Sequence, residues 1–230
     1  MFCHSCGAQV TNDLQFCPSC GQSLAAPAPL GSSVSLPFVP PANIHAQTGR
    51  WIGAGWQLVK ADIGNFVLLA LVFLLLSGVP LIYGPLAAGM HVYCLKKLHG
   101  RRAEFADLFK GFNFFVPTLV ASIVISLFTF GGTLLCIIPG LVIAAMYKFT
   151  YLFIVDKRMD FWQAMQASHA VAKNDYFGFT IFLLAMAGVN LLGVLCCVVG
   201  VLVSAPVTFA AVTVAYQETV GCDSRTLDSL

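Results

Sequence analysis

Charge is what this sequence has least of. Only 10% of its 230 residues are charged and 58% are hydrophobic, whereas ordinary soluble domains carry about a quarter charged residues. The composition excludes an ordinary soluble domain and requires a lipid bilayer as partner. A formal net charge of +2 gives no electrostatic case for nucleic acid, and none is expected as a partner. Also missing are a nucleophile elbow, a phosphate-binding glycine loop, an HExxH pair and paired carboxylates inside the apolar runs. Hydrolysis and phosphoryl transfer need several polar groups converging, so the expectation is that the chain is not an enzyme, with a membrane enzyme as the remote alternative. No secretory leader is visible either, because the first twenty residues lack a basic stretch followed by an apolar one. The N-terminus is therefore expected on the cytoplasmic side.

What is present comes in long uncharged runs, at 63–95, 111–147 and 176–217. One crossing needs about 20 apolar residues, so the last two runs suit two crossings each. They also break near their middles, at Gly131, Gly132, Pro139 and Gly140 and at Gly200 and Pro206. The first run, with Pro80 and Pro85, divides the same way, either as a full hairpin or as one span plus a re-entrant segment. The reading is an all-α integral membrane protein of about six transmembrane helices in three hairpins. Its spans fall roughly at 63–80, 83–97, 116–137, 139–155, 176–198 and 201–217. Around them lie a cysteine module at 1–22, a flexible Ala/Pro/Ser linker at 23–49, the membrane domain at 50–217 and a cytoplasmic tail at 218–230.

The positions of the charges test this division. All of the chain's 12 basic residues except Lys148 fall in segments that the hairpins place on one face, and the opposite turns at 77–85, 131–140 and 193–206 carry no charge. By the positive-inside rule the charged face is cytoplasmic, which puts both termini there. Each hairpin follows a polar, lysine-bearing stretch containing aromatics. In the first two stretches apolar residues recur at helical spacing, at Ile52, Trp56, Val59 and Ile63 and at Phe105, Leu108, Phe109 and Phe112. Such stretches read as interfacial amphipathic helices, or more simply as snorkelling loops.

The strongest motif is a pair of knuckles, Cys3-His4-Ser5-Cys6-Gly7 and Cys17-Pro18-Ser19-Cys20-Gly21. Two cysteines two residues apart on a tight turn aim both sulfurs at one ion, and two such turns complete a tetrahedron. A shell closed by four thiolates is structural, because catalytic zinc keeps an open position. One structural Zn2+ held by Cys3, Cys6, Cys17 and Cys20 is expected, with iron the competitor in the same geometry. The knuckles resemble the short zinc-ribbon head found at the N-terminus of many bacterial proteins. That resemblance covers residues 2 to 22 and implies a cytoplasmic interaction or structural module with a protein partner. The membrane part resembles an uncharacterised group of small bacterial multi-pass membrane proteins. The resemblance rests on "IIPGLVIAAMYKFTYLFIVD" at 137–156, "QAMQASHAVAKNDYFGF" at 163–179 and "APVTFAAVTVAYQE" at 205–218.

Within the spans few groups offer chemistry. Lys148 is the one formally charged residue well inside a run, which makes it a candidate solute contact; snorkelling toward the interface near Asp156 is the simpler account. His91 and Asn190 are the other candidates, with packing or interhelical hydrogen bonds as the simpler account of each. Cys136, Cys196 and Cys197 lie toward the uncharged ends of spans and read as small packing residues, with a disulfide as the alternative. The function expected from sequence is a non-enzymatic membrane protein whose zinc head binds a partner. The alternative is a transporter or channel for a small or lipid-like, anionic solute. Oligomeric state is not encoded in any pattern of the chain.

Overall fold

Long uncharged runs punctuated by glycine and proline dictate helices with short turns, and a computed structural model of the chain shows them. It describes residue 41 and residues 44–222. The chain divides into two units, Met1–Pro37 and Phe38–Leu230, and only the second contains described residues. The cysteine module, most of the linker and positions 223–230 of the tail lie outside the described residues.

The described elements are helical. They are α1 (Thr48–Lys60), α2 (Ile63–Ser77), α3 (Pro80–Leu98), a 3₁₀ helix (Phe105–Phe114), α4 (Phe115–Leu135), α5 (Ile137–Met146), α6 (Thr150–Lys157), α7 (Phe161–Ala172), α8 (Tyr176–Leu195) and α9 (Cys197–Thr219). Each of the six expected spans is occupied by helix. By length and composition four stretches are able to cross a membrane: 105–135, 138–157, α8 and 200–219. A fifth is counted if α1 and α2, which meet at a bend of 101°, form one span. The first expected hairpin is the short one. At 1.5 Å per residue, the 15 residues of α2 extend about 22 Å, less than the roughly 30 Å of hydrocarbon. The reason is local, since Gly78 caps α2 and Pro80 starts α3 two residues later. The fourth expected span is broken into α5 and α6.

α9 organises the bundle, packing against α1, α2, α3 and α8. One apolar cluster joins Trp51, Phe149, Phe153, Phe182 and Tyr216, and a second joins Phe66, Phe73, Met90, Tyr93 and Val207. α9 contributes to both. α1 crosses it at Gly55, where a β-carbon would lie 2.7 Å from the Ala211 backbone nitrogen. Only hydrogen fits there. Large apolar side chains of α4 and α8 face outward, with Leu127, Leu134 and Leu195 exposed, as suits a surface wetted by lipid chains.

The amphipathic stretches are helical, as read from the sequence, and each packs on the body through a stripe beside its aromatic one. α1 buries Trp51, Gly55 and Val59, while Trp56 and Ile63 are exposed. The close approach of α9 at Gly55 selects that stripe. The second stretch is a 3₁₀ helix that buries Asp107, Leu108 and Gly111 and exposes Phe105 and Phe109. Three residues per turn, rather than 3.6, put Leu108 and Gly111 on one line.

The ends of the helices near the charged segments are tied by ion pairs. Arg50 and the Trp51 indole both reach Glu218, at 3.0 and 2.9 Å. Lys97 pairs with Asp62 at the α1–α2 bend. Lys96 and Lys110 each lie 2.8 Å from the same Asp107 oxygen, and that aspartate also accepts the Glu104 N–H at 2.8 Å. Buried Asp156 accepts hydrogen bonds from the Tyr216 hydroxyl at 2.8 Å and the Cys222 thiol at 3.0 Å, with Lys157 at 3.2 Å.

A candidate intramembrane solute site at a helix break

The break between α5 and α6 has a definite cause of persistence. A discontinuity frees backbone groups, and inside a membrane these need partners from neighbouring helices or hydroxyl side chains. Around Tyr147–Phe149 the ladder tightens, with Lys148 N–H bonding Ala145 C=O at 3.3 Å and Thr150 N–H bonding Tyr147 C=O at 3.2 Å. Ser168 on α7 supplies the rest. Its hydroxyl donates to Met146 C=O at 2.6 Å and accepts from Phe149 N–H at 3.2 Å. One buried serine thus bridges both sides of the break, and Lys148 sits between them.

A cavity of 750 Å³ opens beside this break. α4 contributes hydroxyls at Ser122, Ser126, Thr129 and Thr133, and the broken helix contributes Tyr147, Lys148 and Tyr151. α3 adds Tyr83 and His91, α8 adds Asn190, and α9 adds Thr208 and Phe209. The three residues marked in the sequence as candidate solute contacts, Lys148, His91 and Asn190, therefore line one space although 57 and 42 positions separate them in sequence.

Their situations differ. Asn190 donates to Met186 C=O at 3.0 Å and to the Thr208 hydroxyl at 2.8 Å, and accepts from Ser204 at 3.1 Å. Its amide joins α8 to α9 and has both donors committed. His91 is buried, with Nδ1 at 3.0 Å from Thr213 Oγ1 and its ring edge against Phe209. Thr213 already donates to Phe209 C=O at 2.8 Å, so Nδ1 is the donor in that contact and Nε2 is left as an acceptor. Lys148 has no carboxylate partner among the described residues, and no acidic side chain lines the cavity. It lines the cavity instead of pairing with Asp156, whose carboxylate is met by Tyr216, Cys222 and Lys157.

Sequence reasoning missed the α4 hydroxyls. Ser122, Ser126, Thr129 and Thr133 follow steps of four, three and four, which place them on one helix face. Ser122 and Thr133 return their protons to backbone carbonyls, at 2.7 Å each, while the buried Thr129 hydroxyl has no partner. The signal was legible as a hydroxyl stripe in an otherwise apolar helix.

Cys136 and Cys196 are exposed free thiols; the Cys197 side chain is outside the description. No His, Cys, Asp and Glu cluster able to hold a metal occurs among the described residues. Cys3, Cys6, Cys17 and Cys20 lie outside them. The donor set itself, four cysteines in two knuckles, has the chemistry of a closed zinc shell.

Comparison with known proteins supplies two further findings. Residues 2–24 match the zinc-ribbon domain model. The chain is also similar to uncharacterized proteins of Mycobacterium bovis and Mycobacterium tuberculosis. Each is 31% identical over 134 residues, which is 58% of this chain and 41% of the relative. The chain thus spans less than half the length of these relatives. No solved structure matches it. A zinc-ribbon domain at the N-terminus, followed by a helical body with stretches able to cross a membrane, is what sequence, structure and comparison jointly support.

Proposed function

We propose that this is a multi-pass protein of the bacterial inner membrane that binds a solute inside its helical body and passes it across, with a zinc-ribbon head on the cytoplasmic side. The observation that carries the reading is Lys148, which has no carboxylate partner among the described residues and lies at a helix break facing a 750 Å³ cavity. An ionisable group within a membrane segment is costly unless it serves a pathway or ligand, and discontinuous helices are a recurring way to build such sites near mid-membrane. The three hairpins keep both termini cytoplasmic, with α2–α3 as a shorter pair against α9. The uncharged turns and the charged opposite ends support that direction. Reconstitution in vesicles tests the reading. Wild-type protein is expected to accelerate solute flux and Lys148→Met to abolish the acceleration; equal flux through both would remove this mechanism.

The zinc-ribbon match at residues 2–24 favours a second role, capture of a cytoplasmic protein. Cys3, Cys6, Cys17 and Cys20 would hold one zinc ion, which supplies the folding energy that so short a module cannot obtain from a core. Replacing Cys3 and Cys17 by serine is expected to abolish partner capture in cells while the helical body still inserts. Undiminished capture would exclude this role for the head.

A further inference from the structure

Resting on the solute-binding reading, we infer that the cavity takes an organic molecule with one negative charge and an apolar body, such as a medium-chain carboxylate, bound with its oxyanion at Lys148. Three observations converge on this class. The first is charge. Lys148 brings the one formal positive charge to the lining, and no carboxylate of the lining offsets it. A single negative charge neutralises the site, a cation is repelled, and a multiply charged anion leaves an uncompensated charge in a medium of low dielectric.

The second observation is size. A volume of 750 Å³ falls within the roughly 300–1,000 Å³ that encloses drug-sized organic ligands. A bare inorganic anion would leave most of it unfilled.

The third is the division of the walls. Ser122, Ser126, Thr129 and Thr133 form a hydroxyl stripe on α4, whereas Phe73 on α2 and Phe209 on α9 present aromatic surface to the same space. The unpartnered Thr129 hydroxyl adds a free polar group to that stripe. Eleven residues separate the stripe's ends, a rise of about 16 Å, which suits an elongated molecule with a polar head better than a compact polar one. An ammonium is a point charge with rotatable donors, so a carboxylate and another singly charged oxyanion satisfy it alike.

The test uses full-length protein in nanodiscs of zwitterionic lipid and 11-(dansylamino)undecanoate as fluorescent probe. Saturable binding is expected, displaced by decanoate and by decyl sulfate but not by decanol, decylammonium or acetate. Lys148→Met should weaken probe binding at least tenfold, and Lys148→Arg should retain it within about threefold. Ser126→Trp, placed at an exposed position of the lining, should block the cavity and abolish binding without touching the charge. If decanol competes as well as decanoate and Lys148→Met binds normally, the anion class is overturned, while sensitivity to Ser126→Trp leaves the cavity reading standing. If acetate competes as well as decanoate, the apolar body is overturned and only an anion site remains. If the wild type shows no saturable binding, both the ligand class and the solute-binding reading fall.

Discussion

Lys96 and Lys148 are lysines held within the same helical body, and their surroundings are opposite. Lys96 meets Asp107 at 2.8 Å, with side chains only 10% and 3% exposed, and Asp107 is shared with Lys110 and the Glu104 N–H. Lys148 faces a cavity without a carboxylate among the described residues. Burying a charge is costly unless it is paired. At Lys96 the fold itself supplies the counter-charge, and the network fastens the 3₁₀ helix to α3. At Lys148 the described residues supply space and hydroxyls instead, which leaves room for the anion proposed above. A buried lysine with its own acid holds structure together; the half-buried Lys148, beside a cavity, is the place where a ligand is proposed.

The sharpest way to break this comparison is to strip the paired site. Asp107→Ala leaves Lys96 buried without a partner, and breaking a buried pair costs about 3–5 kcal/mol. Thermal unfolding of the purified protein should show that loss; an unchanged midpoint would mean that the network does not hold the 3₁₀ helix. Next in size is Ser168→Ala, which strands Met146 C=O and Phe149 N–H at the helix break. Buried groups left unpaired cost about 1–3 kcal/mol, and hydrogen exchange should rise first at residues 146–150. Uniform exchange across α5 and α6 would show that the break is held by something other than this serine.

Lys148→Met sharpens the comparison from the other side. Because no protein partner loses a contact, stability should be unchanged or higher, in contrast to Asp107→Ala, while binding of an anionic ligand falls. A loss of stability comparable to that of Asp107→Ala would mean that Lys148 is structural after all. The smallest effect is expected from pH. The hydrogen bond from Lys97, with those from Asn65 and Tyr93, holds Asp62 below its usual 3.8 despite partial burial. A depressed carboxylate contributes stability that is present above the unfolded value and is lost as pH falls through the folded one. Stability should therefore decline below about pH 4, and Asp62→Asn should shrink that decline slightly. An identical acid limb in the variant would assign it to other carboxylates.

Much of the architecture was legible from single residues. Pro80, Pro139 and Gly140 mark hairpin turns because a proline starts a helix better than it continues one, and α3 and α5 begin at or just before them. Asn190 and His91 stood out as polar groups in apolar runs, and both line the cavity. The break at Tyr147–Phe149 was not legible, since no proline or glycine occurs there; it depends on Ser168, twenty residues later in sequence. The face of α1 that packs on α9 was not legible for a related reason. Periodicity marks the apolar stripe of Ile52 and Trp56, whereas the approach of α9, a distant segment, selects the face carrying Gly55.

The sequence alone determined the bilayer setting, the alternation of charged ends and uncharged turns, and the four-thiolate motif. These follow from composition and from spacing along one chain, which local chemistry is enough to fix. Only the tertiary structure decided that, among the described residues, Lys96 meets a carboxylate and Lys148 does not. It also decided that a hydroxyl stripe on α4 faces the same space as a lysine on the broken helix. Those outcomes depend on which helix faces lie together, and a counter-charge or a cavity exists only once distant segments have packed.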